Sequence, residues 1–258
     1  MIVRRKSTHR FHWLLFFLLS IGSCKSKSPL PPETDHSSGP QSKVFITYDK
    51  ISNGDNSFRV QDFDLDSKYL FIHPTGAYGL YKFSLRDSTL TELIRYGAGN
   101  YIAEDSGYVF YETSGYAIQR YNLAKGTTDL VFDLSSLEYT TINGMDVYQH
   151  DLYVMMLSQT TGDKFLAKFD LNGNLVETIP YPRNTLHLAI HNDVVYAIYY
   201  PDNKNVKLSR FDLRTKSFLA DATLPTENWD GIRIVGGFLY FTDYRERAIK
   251  TIPISAIQ

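Results

Sequence analysis

Cysteine is nearly missing from this chain. Cys24 is the only one among 258 residues, which excludes an intramolecular disulfide and leaves stability to side-chain packing. Long apolar runs are missing too. Residues 13–21 form a strongly apolar stretch, yet it is too short to cross a bilayer as a permanent helix. A large excess of either charge is absent. The formal net charge is −1, and residues 1–23 carry four of the 27 basic residues and no acid; without them 23 basic side chains face 28 acidic ones, a net of about −5. A mildly acidic domain is not built to grip a phosphate backbone, so no nucleic-acid partner is expected. Aromatic residues, by contrast, are plentiful: 19 Tyr and 16 Phe within an aromatic share of 14%, suited to filling wide spaces between sheets.

The first 43 residues divide into a leader and a tether. Arg4, Arg5, Lys6 and Arg10 precede the apolar stretch, and Ile21-Gly22-Ser23-Cys24 follows it, the layout of a cleaved secretory signal. Those four residues resemble the bacterial lipobox, an apolar residue and two small residues before a cysteine. The resemblance implies removal of residues 1–23, lipidation of Cys24 and firm attachment to a membrane by several acyl chains, each buried CH₂ contributing about 0.8 kcal/mol. An ordinary secretory signal with a chance cysteine, or an uncleaved anchor, is the alternative. Lys25 follows the cysteine, where in enteric lipoproteins an Asp would favour the inner membrane; the resemblance thus favours the outer membrane of a bacterial envelope. Residues 25–43 are Pro- and Ser-rich without periodicity and read as a flexible tether.

Residues 44–258 carry a repeat. Its clearest copy is Leu166-Ala167-Lys168-Phe169-Asp170-Leu171, then Asn172-Gly173-Asn174 and the apolar run Leu175 to Ile179. This reads as strand, turn, strand, with Phe169 and Leu171 on one face and Asn-Gly supplying the positive φ angles of a two-residue hairpin. Related stretches end at Leu85, Leu123, Leu213 and Ile254, giving spacings of 38, 48, 42 and 41 residues. The shared form is apolar, any, basic, aromatic, any, Leu. The recurring basic residues Lys82, Arg120, Lys168 and Arg210 read as a solvated face. Before each anchor lies a strongly apolar strand, such as Leu152–Leu157 or Val194–Tyr200, and after it a fourth strand, such as Ser217–Ala222.

A four-stranded unit of about 40 residues repeated without helices predicts a β-propeller. The fold class is all-β, with five four-stranded blades. The fifth unit lacks a fourth strand, and residues 44–48 are expected to supply it and close the ring, removing two open sheet edges. An open sandwich is the competing all-β fold, and one degenerate blade would change the count. The chain resembles the broad group of bacterial lipoprotein propellers, in the style of quinoprotein-like, YVTN and six-bladed repeats. It lacks the Trp-Asp signature of WD repeats, and with only Trp13 and Trp229 it also lacks the tryptophan docking repeats of quinone-linked propellers.

Function is harder to read. Inner strands place Asp62, Asp64, Glu104, Asp146, His187, Asp230 and Arg233 near the expected axis. Two readings stay open. In the first, the domain is a non-catalytic binding scaffold for a protein or small ligand, with Trp229, Asp230, Arg233 and His187 as candidate contacts, no cofactor and no metal. A loop tryptophan is costly to expose without use. In the second, by resemblance to five-bladed glycoside hydrolases, Asp64, Glu104 and Asp146 are the three axial carboxylates, an acid and base separated by roughly 5–10 Å and a third tuning the acid. Convergence of the three on one pocket would favour the enzyme. His187 and His191 are spaced like a metal pair, but on a strand four residues span about 13 Å, too far to share an ion. Asp170, Asn172 and Asn174 mimic the opening of a calcium loop without its closing Glu, and read as a turn.

Overall fold

The computed structural model describes residues 41–76, 79–113, 117–134, 139–158, 160–201, 206–223 and 230–257. They form five four-stranded antiparallel sheets, a five-bladed β-propeller. The chain enters through β1 (Lys43–Thr47) and the single-turn helix α1 (Tyr48–Ser52). Blade 1 is β2 (Val60–Leu65), β3 (Tyr69–Pro74), β4 (Leu80–Ser84) and β5 (Leu90–Ile94). Blade 2 is β6 (Ala98–Asp105), β7 (Tyr108–Thr113), β8 (Ala117–Asn122) and β9 (Thr127–Asp133). Blade 3 is β10 (Tyr139–Tyr148), β11 (Asp151–Ser158), β12 (Lys164–Asp170) and β13 (Leu175–Pro180). Blade 4 is β14 (Thr185–His191), β15 (Val194–Tyr199), β16 (Lys207–Asp212) and β17 (Ser217–Phe218). Blade 5 is β18 (Ile232–Val235), β19 (Phe238–Asp243) and β20 (Ala248–Pro253), and its fourth strand is β1, pairing Lys43 with Thr251 and Thr47 with Ala248. The ring is therefore closed as expected, by the first strand completing the last sheet.

Second strands are apolar on both sides because each sheet is sandwiched between two neighbours. Leu70, Phe71 and Ile72 are fully buried, as are Leu152, Val154 and Met156, and Val195, Ala197 and Ile198. Fully burying such side chains stabilises by about 1.5–3 kcal/mol each. The hairpins from first to second strand are tight. Ser106-Gly107, Gln149-His150, Asn192-Asp193 and Gly236-Gly237 all take positive φ at both positions, the twist that joins adjacent strands in two residues.

The repeat's anchor does more than alternate. The residue between the aromatic and the leucine is a turn cap. Asp170 accepts the N–H groups of Asn172 and Asn174, Asn122 those of Ala124 and Lys125, and Asp212 those of Arg214 and Thr215. The following residue ties this turn to the hairpin between first and second strands: Leu85 donates to the Lys68 carbonyl, Leu123 to Gly107, Leu213 to Asp193 and Ile254 to Gly237. The Asn172-Gly173 hairpin is wider than a two-residue loop. Register pairs Phe169 with Leu175, Gly173 N–H closes on the Asp170 carbonyl, and of the two only Gly173 has positive φ, +89°. Asp170 capping favours this longer turn.

Two further expectations need correction. The recurring cations are not a merely solvated face. Lys82 lies 4.8 Å from the Tyr69 ring, Arg120 5.1 Å from Tyr108 and Lys168 5.8 Å from Tyr153, and Arg210 stands opposite Tyr196 in register. Lys82, Arg120 and Lys168 each cover a second-strand aromatic, a contact worth roughly 0.5–1 kcal/mol at exposed sites. The fourth strand of blade 4 is not continuous over Ser217–Ala222. It spans two residues, with one further bridge between Leu208 and Ala222. Arg210 Nε takes the Ala220 carbonyl at 2.6 Å, and Arg183 pairs with Asp221 while stacking 3.9 Å over Phe218. Side chains there replace ladder bonds.

Gly173 tests the blade contact. A Cβ at this position would meet the Val131 carbonyl oxygen of blade 2 at 2.2 Å. Gly162 has a similar positive φ, +72°, with nothing within 4 Å. Gly162→Ala should cost about 1–2 kcal/mol, the left-handed strain alone. Gly173→Ala should cost visibly more, because blades 2 and 3 must also part. Equal urea midpoints for the two variants would show that the contact carries no weight.

Candidate functional site

Hairpin register aligns the five inner strands. Asp64 stands opposite Phe71, Ala103 opposite Phe110, Asp146 opposite Tyr153, Ala189 opposite Tyr196 and Arg233 opposite Tyr240. One level thus offers two aspartates, two alanines and one arginine to the axis. The alanines leave room, and the arginine fills it. Arg233 is 2% exposed. Its Nη1 donates to the carbonyls of Leu188 at 3.2 Å and Ile232 at 2.6 Å. Its Nη2 donates to Asp62 at 3.1 Å and to the Ile102 carbonyl. Its Nε lies 3.4 Å from Asp64 Oδ2, an ion-pair contact outside hydrogen-bond geometry.

The aspartates are also clasps between blades. Asp62 accepts the Ile102 N–H at 3.0 Å and Asp64 the Glu104 N–H at 2.6 Å, joining blade 1 to blade 2. Asp146 accepts the Ile190 N–H at 2.7 Å, joining blade 3 to blade 4. Their other oxygens are engaged as well: Asp64 Oδ1 takes Leu65 N–H and Asp146 Oδ1 takes Val147 N–H. Burial opposes every charge here. For Asp62, Arg233 and His187 outweigh burial and hold the carboxyl below the usual range. For Asp64 burial prevails over Arg233 and the two amides, and the carboxyl is raised. Burial, with the Asp64 charge, pushes Asp146 up to about 7 against Arg233. Burial would lower Arg233, but Asp62, Asp64 and Asp146 together raise it.

Toward the start of the inner strands, β-bulges break the ladder. The registers shift between Val60 and Asp62, Ala98 and Ile102, Ile142 and Gly144, and Leu186 and Leu188. Bulges re-aim side chains. His187 is the extra residue in blade 4, with φ +47°. Its Nδ1 donates to Asp62 Oδ1 at 3.3 Å, and its ring meets the Tyr101 ring of blade 2 edge-on at 5.1 Å. Gly144 lets blade 3 pass beneath, since a Cβ there would sit 2.9 Å from the His187 backbone. Burial raises the Tyr101 hydroxyl, and the charges of Asp62, Glu112 and Asp230 add to it. Asp230 accepts from the Tyr244 hydroxyl, and its N–H donates to Thr242 Oγ1 at 2.9 Å. Glu112 accepts the Asn100 N–H at 3.2 Å, and burial lifts its carboxyl to about 7.

Among the residues singled out from sequence, Asp62, Asp64, Asp146, His187 and Arg233 meet at the axis. Glu104 touches that cluster through its N–H; its carboxylate accepts Gly107 N–H at 3.3 Å instead and is raised to about 7, mainly by burial. Asp230 lies with the tyrosines. Cys24 and Trp229 fall outside the described residues. At this level Arg233 is buried among the aspartates, and each oxygen of Asp64 and Asp146 accepts a backbone N–H. Tyr101, whose ring meets His187, was not legible in the sequence; its only signal was aromatic character near the start of an inner strand.

Replacing Arg233 by Met leaves three buried aspartates without their cation. The expected loss is about 3–5 kcal/mol at pH 8. The loss should shrink at pH 5, where the aspartates hold protons; a pH-independent loss would exclude the charge as its cause. Asp146 gives a second pH test. Its carboxyl releases its proton near 7 when folded and near 4 when unfolded, so the folded state binds more protons between these values. Stability must therefore fall as pH rises from about 4 to 7, by at most about 1.4 kcal/mol per pH unit for this group. Urea midpoints of Asp146→Asn should fall less steeply over that window than those of the wild type, while Glu104 and Glu112 contribute alike to both. Parallel slopes would refute the assignment.

No protein-family model and no curated protein matches the sequence. Solved structures do. The chain is similar to a chain in the crystal structure of a nidogen/laminin complex, at 13% identity and a TM-score of 0.54, covering 75% of this chain and 74% of that one. It is also similar to Myxococcus xanthus glutaminyl cyclase, at 13% identity and a TM-score of 0.54, covering 78% of this chain and 90% of the cyclase. At such identity the likeness speaks for the propeller architecture alone.

Proposed function

We propose that this protein is a lipid-anchored bacterial envelope protein, held by Cys24, whose propeller binds a protein or small ligand without catalysis. The binding face is the end of the ring where the inner strands begin, which bears Asp230 and His187, with Trp229 adjacent in sequence. One observation carries the non-catalytic half: the axial carboxylates spend their oxygens on backbone amides and Arg233, so they serve as clasps rather than as an acid and a base. Arg233 is a positioning residue in this reading, fixing Asp62 and through it His187. The anchor rests on the lipobox-like Ile21–Cys24 and the Pro/Ser tether, which would let the domain stand off an outer-membrane surface.

Membrane fractionation tests the anchor. Cys24→Ser should move the protein into the soluble fraction, and continued membrane association would defeat the anchor. Cross-linking in intact envelopes tests the face: the wild type should give a discrete adduct that Trp229→Ala loses. An unchanged adduct would move the contact elsewhere.

A further inference from the structure

Blades 1 and 4 treat the same turn differently. After the anchor leucine each carries an arginine, Arg86 in blade 1 and Arg214 in blade 4. In each, the leucine N–H ties that turn to the hairpin between first and second strands, at the carbonyl of Lys68 or of Asp193. In blade 4 two carboxylates answer the arginine: Arg214 lies 3.7 Å from Asp193 and 3.9 Å from Asp212. Blade 1 has Lys68 where blade 4 has Asp193, and Ser84 where blade 4 has Asp212. Both acids are missing, and a second cation stands in the place of one. Among the described residues neither Lys68 nor Arg86 forms an ion pair.

These positions enclose a space. A cavity of about 610 Å³ opens among Ser67, Lys68, Tyr69, Ser84, Arg86 and Asp87, within the roughly 300–1,000 Å³ of small-molecule sites. Asp87 is the one acid on its wall among the described residues, and its Oδ1 is taken by the Thr89 N–H at 3.1 Å and the Thr89 hydroxyl at 2.6 Å. A second cavity, of about 420 Å³, shares Tyr69 and adds Lys82, which rests over the Tyr69 ring and has no ion pair among the described residues. Like charges gathered at one wall repel, and an anion between them relieves the repulsion. The guanidinium fork suits the oxygens of a carboxylate or phosphate, and serine hydroxyls can donate to the same oxygens. We infer that blade 1 binds a small ligand through a carboxylate or phosphate group, seated between Lys68 and Arg86. The bound anion takes the place that Asp193 and Asp212 hold in blade 4. This site lies at the end of the ring where the inner strands finish, opposite the face proposed above, and does not depend on it.

The test titrates the full-length chain with glucuronate, glucose 6-phosphate and glucose, followed by amide NMR. Saturable binding of either anion with shifts at Lys68, Tyr69 and Arg86 supports the inference, and the tighter of the two tells carboxylate from phosphate. Glucose, the same ring without the charge, should bind at least about tenfold more weakly, as should the preferred anion to Arg86→Gln, the loss of one charge-assisted bond. Lys68→Asp rebuilds the pairing of blade 4 and should abolish anion binding. Lys68 and Arg86 are exposed, so both variants keep the fold. Arg214→Gln removes an arginine that is already paired and should leave binding unchanged. Absence of saturable binding by both anions, equal binding of glucose, or unaltered binding by Arg86→Gln and Lys68→Asp overturns the inference. An equal loss in Arg86→Gln and Arg214→Gln overturns it too, since general surface charge would then be the cause.

Discussion

A single guanidinium holds the ring together at its centre. Arg233 belongs to blade 5, bonds its own Ile232 carbonyl, reaches Leu188 in blade 4 and Ile102 in blade 2, pairs with Asp62 and Asp64 in blade 1, and acts on Asp146 in blade 3 through its charge. Burying such a charge is expensive, and it is tolerable only when several partners converge on it. Inner strands of a small ring cannot all carry large side chains. Ala103 and Ala189 make the room, and the aspartates that answer the arginine also stitch blade 1 to blade 2 and blade 3 to blade 4. The stability of the axis and the relative placement of the blades are therefore one electrostatic problem, with Asp146 and Asp64 ionising reluctantly because three acids share one cation.

From this plug outward the consequences are geometric. With Asp62 fixed by Arg233, the His187 ring is fixed by Asp62, and the Tyr101 ring rests on His187. The last two steps cross the axis, from blade 1 to blade 4 and from blade 4 to blade 2. The bulges make this possible by turning His187 and Tyr101 toward the axis where regular alternation would pair them in the ladder. The end of the ring where the inner strands begin is thus tied to the plug, although it lies one level away.

Much of the outer architecture was legible in the sequence, because the same physical task recurs five times. Leu85, Leu123, Leu171, Leu213 and Ile254 mark the same turn in successive blades, and their spacing gave both the blade count and the closure by residues 44–48. Finer features were hidden by treating variable positions as free. Asp170 read as part of a turn, but Asn122 and Asp212 stood at a position left open in the repeat; all three cap a turn, since any short side chain with an acceptor suffices. Lys82, Arg120 and Lys168 looked solvated because alternation says which face a residue is on but not what lies across the strand; Tyr69, Tyr108 and Tyr153 lie there. Tyr101 stayed unread because it falls where four steps of β6 face two of β7, an irregularity that leaves no mark in composition.

The limit of a repeat-based reading follows from symmetry. Five equivalent positions around an axis face one another at short range. Were all five the same, five like charges would repel or five large side chains would collide. The level that holds Asp64, Ala103, Asp146, Ala189 and Arg233 resolves this by mixing two aspartates, two alanines and one arginine. The bulge level above it differs again, with Tyr101 against His187. A consensus drawn across the blades must average such positions away, and it is strongest at the rim, where each blade meets solvent in the same manner. In a small propeller the chemistry is therefore concentrated where the repeat fails, and the inner strands are informative one blade at a time.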